Sequence, residues 1–141
     1  MTVKSTSEFW DVGPFDDELS ADWFEDLLES DPRAFFERCL DLTDVDVPHR
    51  LACVGVVCTA AVLATLRDRR SPSELPAAVS NWATEHAGLQ THVDGLAAAA
   101  RDALRQIRLG PSHLRDRWRD AGEEAFERWC ESLRSIEAGL A

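Results

Sequence analysis

Carboxylates crowd the stretch WDVGPFDDELSADWFEDL, which runs from Trp10 to Leu27 and carries seven acids. Carboxylates four residues apart share a helix face and could hold a pair of metal ions. Bundles of that kind also need Glu-x-x-His on partner helices, and the sequence contains no such motif. An EF-hand loop is excluded as well, because the Gly and the terminal Glu that it requires are misplaced. The carboxylates therefore predict no metal site.

Histidine and cysteine offer no stronger site. His92 and Asp94 could supply two metal ligands, but two ligands do not make a site. Cys53 and Cys58 are five residues apart on one predicted helix, or about 500° of rotation, so they face different directions. The sequence has no Gly-rich phosphate loop, HExxH, GxSxG or zinc spacing. These observations predict no catalytic residue, no metal and no cofactor, and they favour a protein that is not an enzyme.

The acidic cluster near the N-terminus has two interpretations. One is helix capping plus an ordinary solvated face. The other is a surface that receives a basic protein, since clustered charge accelerates encounter and discriminates between partners. The candidate partner-binding residues are Asp16, Asp17, Glu18, Asp22, Glu25, Asp26 and Glu29.

The net charge of −11 is concentrated in the first third of the chain. Residues 1–46 carry 14 acids and 3 bases, whereas residues 47–141 carry 12 of each. Phosphates would be repelled by this surplus, so nucleic acid is not the expected partner. The distribution favours either a protein partner with a basic surface or a basic face elsewhere on the same molecule.

A stripe of arginines is the possible internal counterpart of the acidic segment. Arg101, Arg105 and Arg108 share one helix face, and Arg115 and Arg119 follow on the next predicted helix. They either pair with the acidic segment inside the molecule or form a separate basic patch. The sequence does not choose between these arrangements.

The elements that position these charges are predicted to be helices only, because no stretch alternates apolar and polar residues as a strand would. The first helix starts after Gly13-Pro14-Phe15, with Asp16 or Asp17 as N-cap. The second spans about 32–43 and begins at Asp31-Pro32. The third, about 47–69, is apolar on nearly all sides, as expected of a central helix. Its apolar run is shorter than the roughly 20 residues of a membrane span, so no membrane is expected.

Three further helices complete a bundle of about six. A capping box at 71–74 opens the fourth, which ends with Gly88 as its C′ residue. Thr91 caps the fifth, which stops at Gly110. Ser112 caps the last and longest helix, in which apolar residues step by three or four as far as Leu140.

The domain organisation expected from these elements is simple. Residues 1–8 are predicted to form a loose tail, and residues 9–141 a single all-helical domain. The N-terminal residues have no apolar segment of the kind that directs export. The cytoplasm is therefore the expected location, and the four cysteines are expected to be free thiols.

Three segments resemble a family catalogued as domain of unknown function 4259. The opening motif of that family is close to Trp-Gly-x-Gly-x-Phe, followed by an acid, Asn-Asp, a small residue and Asp before an aromatic. Its matching positions here are Trp10, Gly13, Phe15, Asp16, Asp22 and Trp23, while Asp11, Asp17 and Glu18 depart from it. SELPAAVSNWATEH at 73–86 and SHLRDRWRDAGEEAFERW at 112–129, with Trp118, resemble later family segments.

The resemblance implies a small cytoplasmic bacterial protein and supplies no catalytic residue. Three functions remain open from the sequence. The first is a non-enzymatic binding protein, such as an immunity or antitoxin-like inhibitor of a basic partner. The second is a small enzyme or ligand-binding domain whose pocket is lined by Trp10, Phe15, Trp23, Trp118 and Trp129. The third is a structural or regulatory oligomer that pairs through its last helix.

Overall fold

The fold, seen in a computed structural model that describes residues 18–42, 46–68 and 75–141, is all α, as predicted. Seven α-helices and no strand occur in these ranges. The helices are α1 (Leu19–Leu28), α2 (Pro32–Leu40), α3 (Arg50–Asp68), α4 (Ala77–Glu85), α5 (Gln90–Leu109), α6 (His113–Asp120) and α7 (Glu123–Gly139). A 3-10 turn, Ala87–Leu89, leads into α5.

Helix α3 is the central element, which confirms the expectation from its apolar run. It contacts each of the other six helices, and nearly every residue from Cys53 to Leu66 is buried. Its length and composition alone would suit a membrane span, with a mean hydropathy of 1.6 over Arg50–Arg67. However, 72% of that window is buried inside the molecule, as the core helix of a bundle would be.

Helices α1 and α2 pack their apolar sides against α3. A capping residue marks the start of α2. Trp23 and Leu27 are 4% and 1% exposed, whereas Leu28 on the same helix is 56% exposed. The Asp31 carboxylate accepts a hydrogen bond from the Ala34 N–H at 3.2 Å, so the predicted cap of α2 is present. Helix α2 ends at Leu40, three residues earlier than predicted.

Helix α5 lies closely against α3 because it presents small residues there. Ala97, Ala100 and Ala103 are at most 5% exposed, and Leu104 and Ile107 are fully buried beside them. Alanines at a contact let two helix axes approach closely. The helix ends at Gly110, as predicted.

The predicted last helix is wrong in one respect: it is two helices. Gly122 adopts φ 121°, a left-handed conformation that residues with a side chain rarely tolerate. The chain therefore breaks there, with the Gly122 N–H bonded to the Arg119 carbonyl at 3.2 Å. Glu123 and Glu124 then begin α7, where acids suit the helix dipole. The apolar spacing runs across the break, so periodicity alone conceals it.

Two other predicted boundaries also differ from the structure. Gly88 is not a C′ residue, because α4 already ends at Glu85 and His86 is its C-cap. The 3-10 turn continues directly into α5, which begins at Gln90 without a side-chain cap rather than at Thr91. The predicted caps Asp16 and Asp17, and the capping box at 71–74, lie outside the described residues.

Ser112 links the end of α5 to the start of α6 and is fully buried. Its hydroxyl accepts a hydrogen bond from the Arg115 N–H at 3.1 Å and donates one to the Ile107 carbonyl at 3.0 Å. One residue on, the His113 N–H donates to the Pro48 carbonyl at 2.9 Å, which ties the start of α6 to the segment before α3. The Ser112 hydroxyl thus caps α6 as predicted and also donates a hydrogen bond to the Ile107 carbonyl at the end of α5.

Replacing Ser112 by Ala is expected to lower the free energy of unfolding by about 2 kcal/mol, because the partly buried N–H of Arg115 and the buried carbonyl of Ile107 both lose their partner. Urea unfolding followed by circular dichroism measures the change. Ser80→Ala, at an exposed position of α4, is the matched control and should change stability by less than about 0.5 kcal/mol. Equal unfolding midpoints for the two variants would show that the hydroxyl contributes little.

Candidate functional site

The candidate partner-binding residues of α1 form one surface, which we call the acidic face. At about 100° per residue they lie within an arc of about 100°, opposite the buried Trp23 and Leu27. Every one of them is exposed. The acidic face consists of Glu18, Asp22, Glu25, Asp26 and Glu29. Asp16 and Asp17, predicted to belong with them, lie outside the described residues.

The acidic face makes one loose internal ion pair. Glu18 lies 3.6 Å from Arg50, and its side chain is 82% exposed. An ion pair that is so exposed to solvent contributes little to stability. Within the part of the chain that the structure describes, Asp22, Glu25, Asp26 and Glu29 take part in no ion pair. Their charge is therefore presented to solvent and is not neutralised by any ion pair among the described residues.

Among the described residues, Arg105 and Arg108 of the arginine stripe pair with α7, and neither pairs with the acidic face. Arg108 donates two hydrogen bonds to the Glu137 carboxylate, at 2.9 and 3.0 Å. Both side chains are nearly buried, 12% and 10% exposed. Arg105 approaches the same carboxylate at 3.9 Å. The hydrogen bond to Glu137 raises the pKa of the Arg108 guanidinium, although burial acts in the opposite direction.

Glu137 is the residue that sequence reasoning missed. It follows Ile136 and lies four residues after Leu133, so it falls on the inward side of the last helix. An acid at such a position must find a cation, because a buried charge without a partner is costly. That isolated acid among apolar positions was the available signal.

Two further arginines stack on one aromatic ring. The guanidinium carbons of Arg115 and Arg119 lie 5.4 and 5.2 Å from the centre of the Phe126 ring. The Arg115 Nε–H also donates to the Arg108 carbonyl at 3.0 Å. We call Arg105, Arg108, Arg115 and Arg119 the arginine face. Arg101 stands apart from it: its Nε is buried and has no hydrogen-bond partner among the described residues.

The tryptophans proposed to line a pocket are core residues where the structure describes them. Trp23 donates from Nε1 to the Thr59 hydroxyl at 3.2 Å, and its ring centre lies 5.8 Å from that of Phe35. Trp118 and Trp129 are 8% and 2% exposed. Trp10, Gly13 and Phe15 lie outside the described residues. The described tryptophans thus hold helices together instead of facing an open cavity.

His49 and His86 have local structural partners, whereas the buried Nε2 of His92 has no hydrogen-bond partner among the described residues. His49 accepts a hydrogen bond at Nδ1 from the Ala52 N–H at 3.3 Å, at the start of α3. His86 stacks on Trp82 with 4.1 Å between ring centres. His92 lies 4.0 Å from Glu37, whereas Asp94 faces a different residue, Arg67, at 3.8 Å. In residues 18–42, 46–68 and 75–141, no three metal-ligating side chains come together.

The cysteines are free thiols. Cys53 and Cys58 are buried, while Cys39 and Cys130 are half-buried. Burial raises the pKa of Cys39, Cys53 and Cys130 above the ordinary value for a thiol. The nucleophilic thiolate form is therefore less populated at these positions than in a free cysteine.

Comparison with known proteins identifies a family and nothing closer. The sequence model of the family described as "Domain of unknown function (DUF4259)" matches residues 9–132. The matched range includes the Trp10–Trp23 motif, α4, all of α6 and the first part of α7. No curated protein and no solved structure matches this chain.

Proposed function

We propose that this chain, which belongs to the DUF4259 family, is a non-enzymatic protein-binding module. Its acidic face receives a protein partner with a basic surface, in the manner of an immunity or antitoxin-like inhibitor. A basic toxin such as a nuclease, blocked at its cationic cleft, is a partner of the expected kind. Binding of this type needs no catalytic group and no cofactor.

Segregation of charge is the observation that carries the proposal. Residues 18–42, which include α1 and α2, contain eight acids and two bases. Two of the α5 arginines that could have neutralised them, Arg105 and Arg108, are engaged by Glu137 instead. A surface that only confers solubility intersperses both signs. A single-sign surface steers an oppositely charged partner and rejects wrong ones.

Rigidity of α1 supports the same function. Trp23 and Leu27 anchor the helix in the core, and the indole of Trp23 is hydrogen-bonded to Thr59 of α3. The carboxylates of the acidic face therefore start from a fixed helical frame. A preorganised surface loses less conformational entropy on binding than a flexible segment does.

Reversing charge on the acidic face is expected to slow partner association at least about tenfold at low salt. The variant is Asp22→Lys/Glu25→Lys. The partner is first captured from the native host at low salt, identified, purified and then measured by stopped-flow binding. The difference between variant and wild type should shrink in about 0.5 M salt, where screening shortens the reach of surface charge.

The matched control is Glu85→Lys/Asp102→Lys, which makes the same change of net charge at exposed positions of α4 and α5. It should associate with the partner at close to the wild-type rate. Equal slowing by both double variants would show that net charge alone matters. Repeated capture experiments that recover no protein partner would contradict the proposed function.

A further inference from the structure

We infer that the arginine face of one copy of this chain docks on the acidic face of a second copy. The two surfaces carry opposite charge within one molecule, yet no ion pair between them occurs among the described residues. Each copy therefore offers both halves of a complementary contact that it does not make internally. Such a contact joins two different patches, one from each copy.

The arginine face is held in place before any partner arrives. Phe126 supports two guanidinium groups, and Arg115 is further held by the Arg108 carbonyl. Arg105, anchored loosely near Glu137, keeps a side chain that is 55% exposed. Arginine side chains are costly to immobilise, so this prior ordering reduces the entropy lost when carboxylates bind.

Both faces also carry an exposed leucine at their edge. Leu109 is 62% exposed and lies about 40° around α5 from Arg105. Leu28 is 56% exposed and lies about 60° around α1 from Glu25. Protein interfaces combine apolar contact with a polar rim. The two leucines supply an apolar element to surfaces that otherwise match by charge.

Self-association goes beyond the proposed function and does not depend on it. It uses the acidic face, so a second copy and a basic partner compete for one surface. In self-associated chains the acidic face would be occupied by a second copy, and a basic partner would displace that copy. The arginine face itself has no part in binding that partner.

Sedimentation velocity on the full chain tests the contact. At low salt and chain concentrations up to about 1 mM, where a contact with millimolar Kd is half formed, the wild type should sediment faster than a monomer. In about 0.5 M salt it should revert to the monomer value, since exposed charges are screened. A wild type that stays monomeric at low salt overturns the inference.

Two charge-reversed variants test which surfaces meet. Asp22→Lys/Glu25→Lys alters the acidic face, and Arg105→Glu/Arg119→Glu alters the arginine face. Each variant alone should be monomeric, whereas an equimolar mixture should associate, because each variant keeps the face that the other lacks. Association of either variant alone, or failure of the mixture to associate, contradicts the contact.

The neutral variant Arg105→Gln/Arg119→Gln, checked for an unchanged melting temperature, replaces the arginine-face reversal if that variant does not fold. It should lose self-association, still associate when mixed with Asp22→Lys/Glu25→Lys, and still bind a basic partner at the wild-type rate. A wild type that binds the basic partner but does not self-associate would overturn this inference alone. Failure of partner binding with self-association intact would overturn only the proposed function.

Discussion

Glu137→Ala is expected to lower the free energy of unfolding by about 3 kcal/mol. The residue is 8% exposed, and its carboxylate accepts both hydrogen bonds of the Arg108 guanidinium. Removing it leaves a nearly buried cation without its partner, and breaking one half of a buried pair costs more than removing both halves. Urea unfolding followed by tryptophan fluorescence measures the change.

Two comparisons separate the loss of the ion pair from the loss of side-chain volume. Glu131→Ala, on the same helix, removes a carboxylate that is 71% exposed and forms an exposed ion pair with Arg134, and should cost less than about 1 kcal/mol. Arg108→Met/Glu137→Leu removes both charges and should recover most of the loss. If the double variant is less stable than Glu137→Ala, the stranded charge is not the cause.

Phe36→Ala is expected to lower the free energy of unfolding by about 3–5 kcal/mol, the usual cost of a cavity left by a buried aromatic residue. Phe36 is 1% exposed. Its ring meets Trp82 of α4 edge-on, with 6.1 Å between ring centres, and lies 6.3 Å from Phe35. Loss of the ring would loosen α2 and α4 together, so circular dichroism and tryptophan fluorescence should report one shared transition.

Phe24→Ala is the control for this substitution. Phe24 lies on α1 and is only partly buried, so its removal should cost less than about half as much. Phe36→Leu, which fills most of the cavity, should cost no more than about 1.5 kcal/mol. If Phe24→Ala proves as harmful as Phe36→Ala, the burial of the Phe36 ring does not determine its contribution.

Local signals predicted the helices well wherever a local cause decides the structure. The apolar run of α3 predicted a central helix, and Asp31-Pro32 predicted the start of α2, because a cap depends on neighbouring residues only. The break at Gly122 was missed, since glycine inside an apolar period is compatible with either a helix or a left-handed turn. Backbone conformation at one residue overrode the periodicity.

Pairing between distant residues was the part that the sequence could not settle. The partner of Arg108 is 29 residues away on α7, and the choice between Glu137 and the acidic face depends on how α5, α6 and α7 pack. Composition showed correctly that residues 1–46 hold the surplus of acids. Composition could not show that Arg105 and Arg108 of α5 pair with Glu137 rather than with the acidic face, because this choice depends on tertiary packing.

The position of α3 at the centre of the bundle has a consequence for how such a protein can evolve. Every other helix packs on α3, so a change of side-chain volume there disturbs several contacts at once. The acidic face and the arginine face lie on outer helices, and their one described ion pair with α3, between Glu18 and Arg50, is open to solvent. Their charges can change with little effect on the core. The architecture thus lets partner choice diversify while the folding of the chain is preserved.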